Sequence, residues 1–179
     1  MKRCSWCGED ELYLKYHDYE WGVPVFDDLK LFEFLILEGA QAGLSWITIL
    51  RKRDAYRRAF DEFDFEKVAL YSDEDVERLM GDEGIVRNRL KILSAISNAR
   101  AFISVKNEFG SFSKYLWNFV DGKVVVGDGS LTRSELSDLI SADLKGRGFG
   151  FVGSTIVYAF LQAVGVIWDH EKNCSFRKI

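Results

Sequence analysis

The stretch RGFGFVGS, Arg147 to Ser154, decides what kind of protein this is. Gly148, Gly150 and Gly153 spell G-x-G-x-x-G, the fingerprint of a dinucleotide-binding sheet. Seven of its eight positions also fit the aromatic strand of an RNA-binding sheet. A dinucleotide fingerprint needs a strand before it, then a crossover helix and a second strand after it. Before Gly148 stands ADLKGR, which reads as the end of a helix. After Gly153, STIVYAFLQAVGVIW reads as a helix from Thr155 to Trp168 that uses most of the remaining chain. The RNA-binding strand needs three partner strands, which the sequence does not show, and its last aromatic position is Ser154. Both matches therefore read as coincidences. The plain alternative is a turn joining two helices, with glycines for the tight backbone and Ser154 or Thr155 as cap. A sharper alternative is a backbone-lined wall for a ligand or phosphate.

Outward from this stretch the period is helical. Leu29 to Leu37 reads as a buried helix ending at Gly39, and Ser45 to Phe60 as a helix carrying the basic run RKRDAYRR. Phe65 to Tyr71 is a short helix. Ser72 and Asp75 form a capping-box pair for the helix DEDVERLM, which stops at Gly81. GDEG leads into the long amphipathic segment IVRNRLKILSAISNARAFISVKNEF, and Ser113 to Val120 and Ser134 to Lys145 are helical. GKVVVGDG alone is strand-like, too short and isolated to define a sheet. The expected class is all-α.

The chain has 179 residues, 47% apolar, enough for one domain with a sizeable core, here expected over 1–179 as two helical lobes around a cleft. Net charge is -4, so nucleic-acid binding would need a local basic patch. MKRCSWCGEDELYLKYHDYEW has no apolar signal region, and no apolar run is long enough to span a bilayer. The expectation is a soluble, cytoplasmic protein without membrane partners.

Cys4, Cys7 and Cys174 are the cysteines, and His17 and His170 the histidines. An odd cysteine count argues against a disulfide framework. His170 and Cys174 are four apart and would share a face on a helix or helical turn. With Cys4 and His17 they make a Cys2His2 set, a closed environment for structural zinc that would tie the two chain ends together. Cys4 and Cys7 form a C-x-x-C pair that could replace His17. The other reading is buried thiols and surface imidazoles.

LYLKYHDYEWG packs aromatics densely, and Tyr13, Tyr16 and His17 would share a helix face. Trp21 follows, then Trp46. Glu38 closes the first long helix, with Gln41, Gly43 and Leu44 in the turn beyond. Singly, each reads as core or as a solvated helix end. Together, a carboxylate among Trp and Tyr suits a flat cationic ligand. Arg51, Lys52 and Arg53, with Arg87, Arg89 and Lys91 after GDEG, are candidates for gripping phosphate.

Four stretches, YHDYEWGVP, LILEGAQAGLSWITIL, GIVRNRLKI with SNARAF, and RGFGFVGSTIVYAFLQAVG, together resemble the 3-methyladenine DNA glycosylase I family, collinearly from about Arg3 to Cys174. The resemblance implies a helix-hairpin-helix DNA glycosylase fold with one structural zinc on Cys4, His17, His170 and Cys174, leaving Cys7 out. It implies that Glu38, the candidate catalytic carboxylate, engages the extruded base with Tyr16 and Trp46. Trp6, Tyr13 and Trp21 would help to line the pocket, and Gly43 and Leu44 would form the wedge entering the DNA stack. The hairpin would be GDEG between Met80 and Ile85, which departs from the usual glycine-hydrophobe-glycine pattern. The implied activity is hydrolytic excision of 3-methyladenine from double-stranded DNA by a monomeric, monofunctional enzyme, since no lysine stands out as an amine nucleophile. The alternatives are a non-catalytic zinc-stabilised module that binds damaged or single-stranded DNA, and a glycosylase for another modified base.

Overall fold

A computed structural model describes residues 1–177. Among the described residues nine α-helices run in order: α1 Glu11–Tyr19, α2 Asp28–Gln41, α3 Trp46–Ala59, α4 Phe65–Val68, α5 Asp73–Gly81, α6 Arg89–Phe109, α7 Phe112–Asn118, α8 Glu135–Gly146 and α9 Ser154–Ala163. Side-chain caps set many of the starts: Asp10, Asp27, Asn88 and Ser111 each accept a first-turn amide. The Asp75 carboxylate accepts the Ser72 amide at 3.0 Å, the reciprocal half of the expected capping box. Gly110, at φ +86, ends α6 in the left-handed conformation that glycine adopts without strain.

Helix α2 is the axis of the molecule. Every residue from Leu31 to Ala40 is buried, and the helix packs against α3, α6, α7 and α9. A helix buried all round needs no polar face. The expected stop at Gly39 is wrong by two residues. Gly39 serves close packing instead: a Cβ there would lie 3.3 Å from the Phe151 Cβ. Because α2 continues, Glu38 stands inside the helix and not at a solvated end.

The neighbour at Gly39 is the RGFGFVGS loop, which joins α8 to α9 without a flanking strand. Gly148 has φ +91 and Phe151 φ +53. Asn98 on α6 fixes the loop with two bonds, donating to the Gly150 carbonyl at 3.0 Å and accepting the Gly150 amide at 2.7 Å. The helix-joining turn is the reading that stands.

Two further expectations fail together. Helix α9 ends at Ala163, not Trp168, and Gly165 turns the chain at φ +71. Its α-carbon lies so close to Val23 and Pro24 that a Cβ would fall 2.4 Å from the Pro24 nitrogen. The released segment, β2 Ile167–Trp168, pairs in parallel with β1 Val125–Val126. The isolated strand therefore has a partner about forty residues away, which no local pattern reveals. The fold is largely helical with this one small sheet, not strictly all-α. Phe65–Tyr71 also shortens to α4, Phe65–Val68.

The basic run of α3 divides between the interior and the surface. Arg53 is buried, donating to Glu33 at 2.6 Å and to both oxygens of Glu20 at 2.6 and 2.9 Å. Arg57 joins Glu33 and Asp54, Arg51 pairs with Asp10, and Lys52 donates to the Glu83 carbonyl. Arg53 is thus taken up in an internal ion network, which corrects its reading as a phosphate grip, while Arg51 stays exposed. Among the described residues no helix is long and apolar enough to cross a membrane.

Candidate active site

Between α1, α2, the start of α3 and α9 lies a cleft of about 710 Å³. Trp6, Tyr13, Tyr16, Trp21, Glu38 and Trp46, all six residues expected around a base, line it. Tyr13 and Tyr16 come from α1, Glu38 from α2, and Trp46 from the first position of α3. The aromatic walls touch one another: Tyr16 and Trp46 have ring centroids 5.5 Å apart, Trp6 and Tyr13 5.2 Å, and Trp6 and Trp21 4.8 Å. Offset and tilted contacts of this kind fix ring orientation.

Glu38 is 3% exposed, and its Oε2 has no hydrogen-bond partner among the described residues. The indole Nε1 of Trp46 is likewise buried without a partner. An orphan acceptor and an orphan donor in one cleft are unusual, because buried polar atoms are normally paired. Both would be satisfied by a flat ligand with polar edges. Burial pushes the Glu38 carboxyl up to about 8. It pushes the Tyr16 phenol up as well, with Glu38 adding to the shift. At neutral pH burial therefore favours the protonated form of Glu38, and an approaching cation favours the carboxylate.

Beside the cleft, Gln41 to Leu44 form a tight turn. The Leu44 amide donates to the Gln41 carbonyl at 2.7 Å, and Gly43 has φ +80. Leu44 is 40% exposed, an apolar side chain held out at the mouth. Lys91 holds this turn: its Nζ donates to the carbonyls of Ala40 at 2.8 Å and Ala42 at 2.7 Å. Lys91 is thus occupied as a clamp on the end of α2, another correction to the expected phosphate grip. Of that second cluster, Arg89 pairs with Glu77, and Arg87 is half exposed with only a 3.8 Å contact to Glu83.

Behind the cleft, Cys4, His17, His170 and Cys174 converge, all buried, with their ligand atoms within 4.8 Å of one another. His170 Nδ1 lies 3.5 Å from Cys4 Sγ and 3.4 Å from Cys174 Sγ, and His17 Nε2 lies 3.6 Å from Cys174 Sγ. Metal–ligand bonds of about 2.0–2.3 Å in a tetrahedron place neighbouring N and S donors about 3.5 Å apart. The set could hold a metal ion. The far nitrogen of His17 meets Asp18 at 2.8 Å, and Arg3 in turn holds Asp18 at 2.7 Å. Such a carboxylate fixes the ring with Nε2 toward the cluster. Burial pushes the Cys4 thiol up to about 12 and the His170 imidazole down to about 4, so a thiolate here needs a cation. Cys7 stands apart, its thiol donating to the Cys4 carbonyl at 3.1 Å. His170 and Cys174 lie in a turn closed by the Cys174 amide on the Glu171 carbonyl, not on a helix. The cluster also backs the cleft walls: the rings of Trp6 and His17 are 5.3 Å apart, and those of Trp21 and His170 4.8 Å.

The other cleft residues carried no sequence signal for this place: Gly129, Leu131 and Thr132 from the loop after β1, and Ala159 and Gln162 from α9. Gln41, expected in the turn beyond Glu38, also lines the cleft. The loop arrives only because β1 pairs with β2.

Known proteins share this arrangement of chain. The model of the methyladenine glycosylase family matches residues 6–178. The DNA-3-methyladenine glycosylase 1 of Escherichia coli is 49% identical, with 97% of this chain and 96% of that one covered. The DNA-3-methyladenine glycosylase of Haemophilus influenzae is 44% identical, with 96% of each covered. A crystal structure of 3-methyladenine DNA glycosylase I superposes with a TM-score of 0.93 at 49% identity, over 97% of this chain and 98% of that one. Another, of a variant in complex with 3-methyladenine, gives 0.95 at 38% identity, over 100% and 99%. The chain belongs to the methyladenine glycosylase family.

Proposed function

We propose that the protein is a DNA repair glycosylase that takes 3-methyladenine out of alkylated duplex DNA and hydrolyses its N-glycosidic bond. The products are the free base and an abasic site. The observation that carries this reading is the buried, unpartnered carboxyl of Glu38 in an aromatic cleft. The chain around it is 49% identical to a named DNA-3-methyladenine glycosylase.

The chemistry follows from the charge of the substrate. Alkylation at N3 makes the nucleobase cationic and weakens its bond to the sugar, so the leaving group is already activated. The base must first leave the stack, at a cost of a few kcal/mol. The Gly43–Leu44 turn, held by Lys91, acts as the wedge that fills the gap. Tyr16 and Trp46 stack on the extruded ring, Trp6, Tyr13 and Trp21 complete the walls, and Glu38 accepts from the base edge. A cation in the cleft favours the ionised form of Glu38, whose proton passes to solvent, and the base then meets a full negative charge. A neutral adenine does not, so normal bases gain less. Water attacks the sugar carbon, the bond to the base breaks with its electrons passing to the purine, which leaves as a neutral base, and the proton lost by the water passes to solvent. Glu38, the candidate catalytic carboxylate, binds and orients the extruded cationic base; as the bond breaks the positive charge moves from the base to the sugar.

The metal of the four-residue cluster is zinc, in the closed Cys2His2 set that leaves no position for substrate. Its role is structural: it ties both chain ends and holds Trp6 and Trp21 in place. The expected hairpin GDEG, between Met80 and Ile85, runs from the end of α5 at Gly81 into the connection to α6 and forms the turn of a helix-hairpin-helix element set against the DNA backbone. Gly84 fits that tight connection, since a Cβ there would lie 2.7 Å from the Ala55 Cβ. The whole chain acts as one cytoplasmic, monomeric glycosylase domain. Incubating the protein with methylated duplex and identifying the released base by chromatography tests the reading. Release of 3-methyladenine supports it; tight binding without release would make the protein a damage-binding module, and release of a different base would change the substrate.

A further inference from the structure

The cleft contains a second polar group, one that the aromatic box and Glu38 do not explain. Gln162, on α9, lines it. Its Nε2 donates to Asp169 Oδ2 at 2.6 Å. Asp169 is buried and also accepts the Tyr158 hydroxyl at 2.9 Å and the Gly129 amide at 2.7 Å. A carboxylate with three donors around it has only acceptors to offer, so it can face only the NH2 end of the Gln162 amide. The orientation of that amide is thereby fixed by chemistry. Its carbonyl oxygen is left without a partner among the described residues, yet it is not one of the buried orphan atoms. It opens to space, and the space this side chain lines is the cleft.

The same carboxylate sets the adjoining wall. A Cβ on Gly127 would fall 2.0 Å from Asp169 Oδ1, so the backbone passes directly over the acid. The Gly129 amide bond then places Gly129, Leu131 and Thr132 along the cleft. One buried group holds both the loop and the amide.

We propose that Gln162 is a specificity-determining residue whose carbonyl oxygen, held toward the cleft by Asp169, accepts a hydrogen bond from the exocyclic amine of the extruded purine. This rests on the reading of the cleft as the base site. An exocyclic amine carries two N–H donors, enough for Glu38 and Gln162 together. A purine with a carbonyl at that position would bring an oxygen against the Gln162 oxygen, and a site built to accept rejects a ligand that cannot donate. Asp169 is the positioning residue.

The test is calorimetric titration of wild type, Gln162→Met, Asp169→Asn and Glu38→Gln with two free bases. These are 3-methyladenine and 3-methylpurine, the same ring without the amine. Wild type should prefer 3-methyladenine. Gln162→Met keeps the length of the side chain and removes its acceptor. It should weaken 3-methyladenine by about 5–10-fold, the range for one net hydrogen bond, and leave 3-methylpurine within about twofold. The preference for the amine thus shrinks by the same factor, as a ligand–residue cycle requires. Asp169→Asn cannot accept all three donors, so Gln162 can turn and the preference should shrink there too. A purely structural role would weaken both bases equally and leave the preference intact, which overturns the proposal. If Glu38→Gln is impaired while Gln162→Met keeps the full preference, the Gln162 assignment alone falls. If Glu38→Gln binds 3-methyladenine like wild type, the cleft reading falls and takes this proposal with it. Thermal melts of each variant establish that the folded proteins are compared, and Asp169→Asn decides the matter if Gln162→Met does not fold.

Discussion

Replacing Glu38 by Gln should make the protein more stable, by an amount that depends on pH. The carboxyl is buried without a partner and its pKa rises from an ordinary 4.5 to about 8. The folded protein thus keeps a proton that the unfolded chain has lost. Stability falls as pH rises through this window, from about 4.5 to about 8, and is unaffected below it. Each unit is worth about 1.4 kcal/mol, so the penalty is under about 1 kcal/mol at pH 5 and about 3 kcal/mol at pH 7. Above pH 8 it levels off near about 5 kcal/mol. Gln has nearly the same shape and no titration. Any fixed cost of its amide is the same at every pH, so the pH dependence isolates the charge. For a chain of this size about 2–4 °C accompany each kcal/mol, and the penalty grows by about 2.5 kcal/mol between pH 5 and pH 7, so the Tm gain at pH 7 should exceed that at pH 5 by roughly 5–10 °C. Thermal and urea melts of both proteins at pH 5, 7 and 8.5 measure it. A difference that does not change with pH would refute the burial argument. The same substitution should weaken binding of 3-methyladenine, because the site holds an expensive carboxyl only for its ligand.

Elemental analysis should find metal retained in Cys7→Ser and lost in Cys174→Ala; the reverse pattern would move the site to the Cys4–Cys7 pair. Lys91→Met loses two charged hydrogen bonds; it should free the Gly43–Leu44 turn and slow excision from duplex by at least about tenfold, the equivalent of one of them, with affinity for free 3-methyladenine unchanged. Equal loss in both assays would place Lys91 elsewhere in the mechanism. Arg53→Ala removes the buried cation between Glu20 and Glu33, but Lys30 and Arg57 still hold them, so it should cost less than the about 3–5 kcal/mol of a fully broken buried pair in urea melts, without altering the salt dependence of DNA binding. Arg87→Ala should instead lower duplex affinity and reduce the salt slope by about one. A changed slope for Arg53→Ala would mean that its ion network opens on DNA.

The helices were legible where local signals act alone. Ser72 with Asp75, and the apolar periodicity of α6, are written within a few residues. The metal tetrad was legible because Cys and His are so scarce here that their spacing stands out, although spacing alone left Cys7 open. The aromatic cleft was legible as a set of residues only: nothing local says that Tyr16 and Trp46 meet. The failures share one cause, a partner remote in sequence. Gly39 read as a helix stop because Phe151, which requires it, is far along the chain. The strand Val125–Val126 read as isolated because Ile167–Trp168 had been absorbed into a helix. Arg53 read as free because its partners, Glu20 and Glu33, belong to other elements. Gln162 and the 129–132 wall were invisible for the same reason: Asp169 brings them together only in the fold.

The central claim is that this cleft excises the base, and single-turnover assays on Trp46→Ala test it most directly. Wild type and variant are mixed in excess with methylated duplex, and released 3-methyladenine is followed alongside duplex affinity. Removing one stacking face is worth about 1–3 kcal/mol, so excision should fall by roughly 5–150-fold while affinity for undamaged duplex stays within about twofold. Unchanged excision by Trp46→Ala, or no released base from wild type, would contradict it.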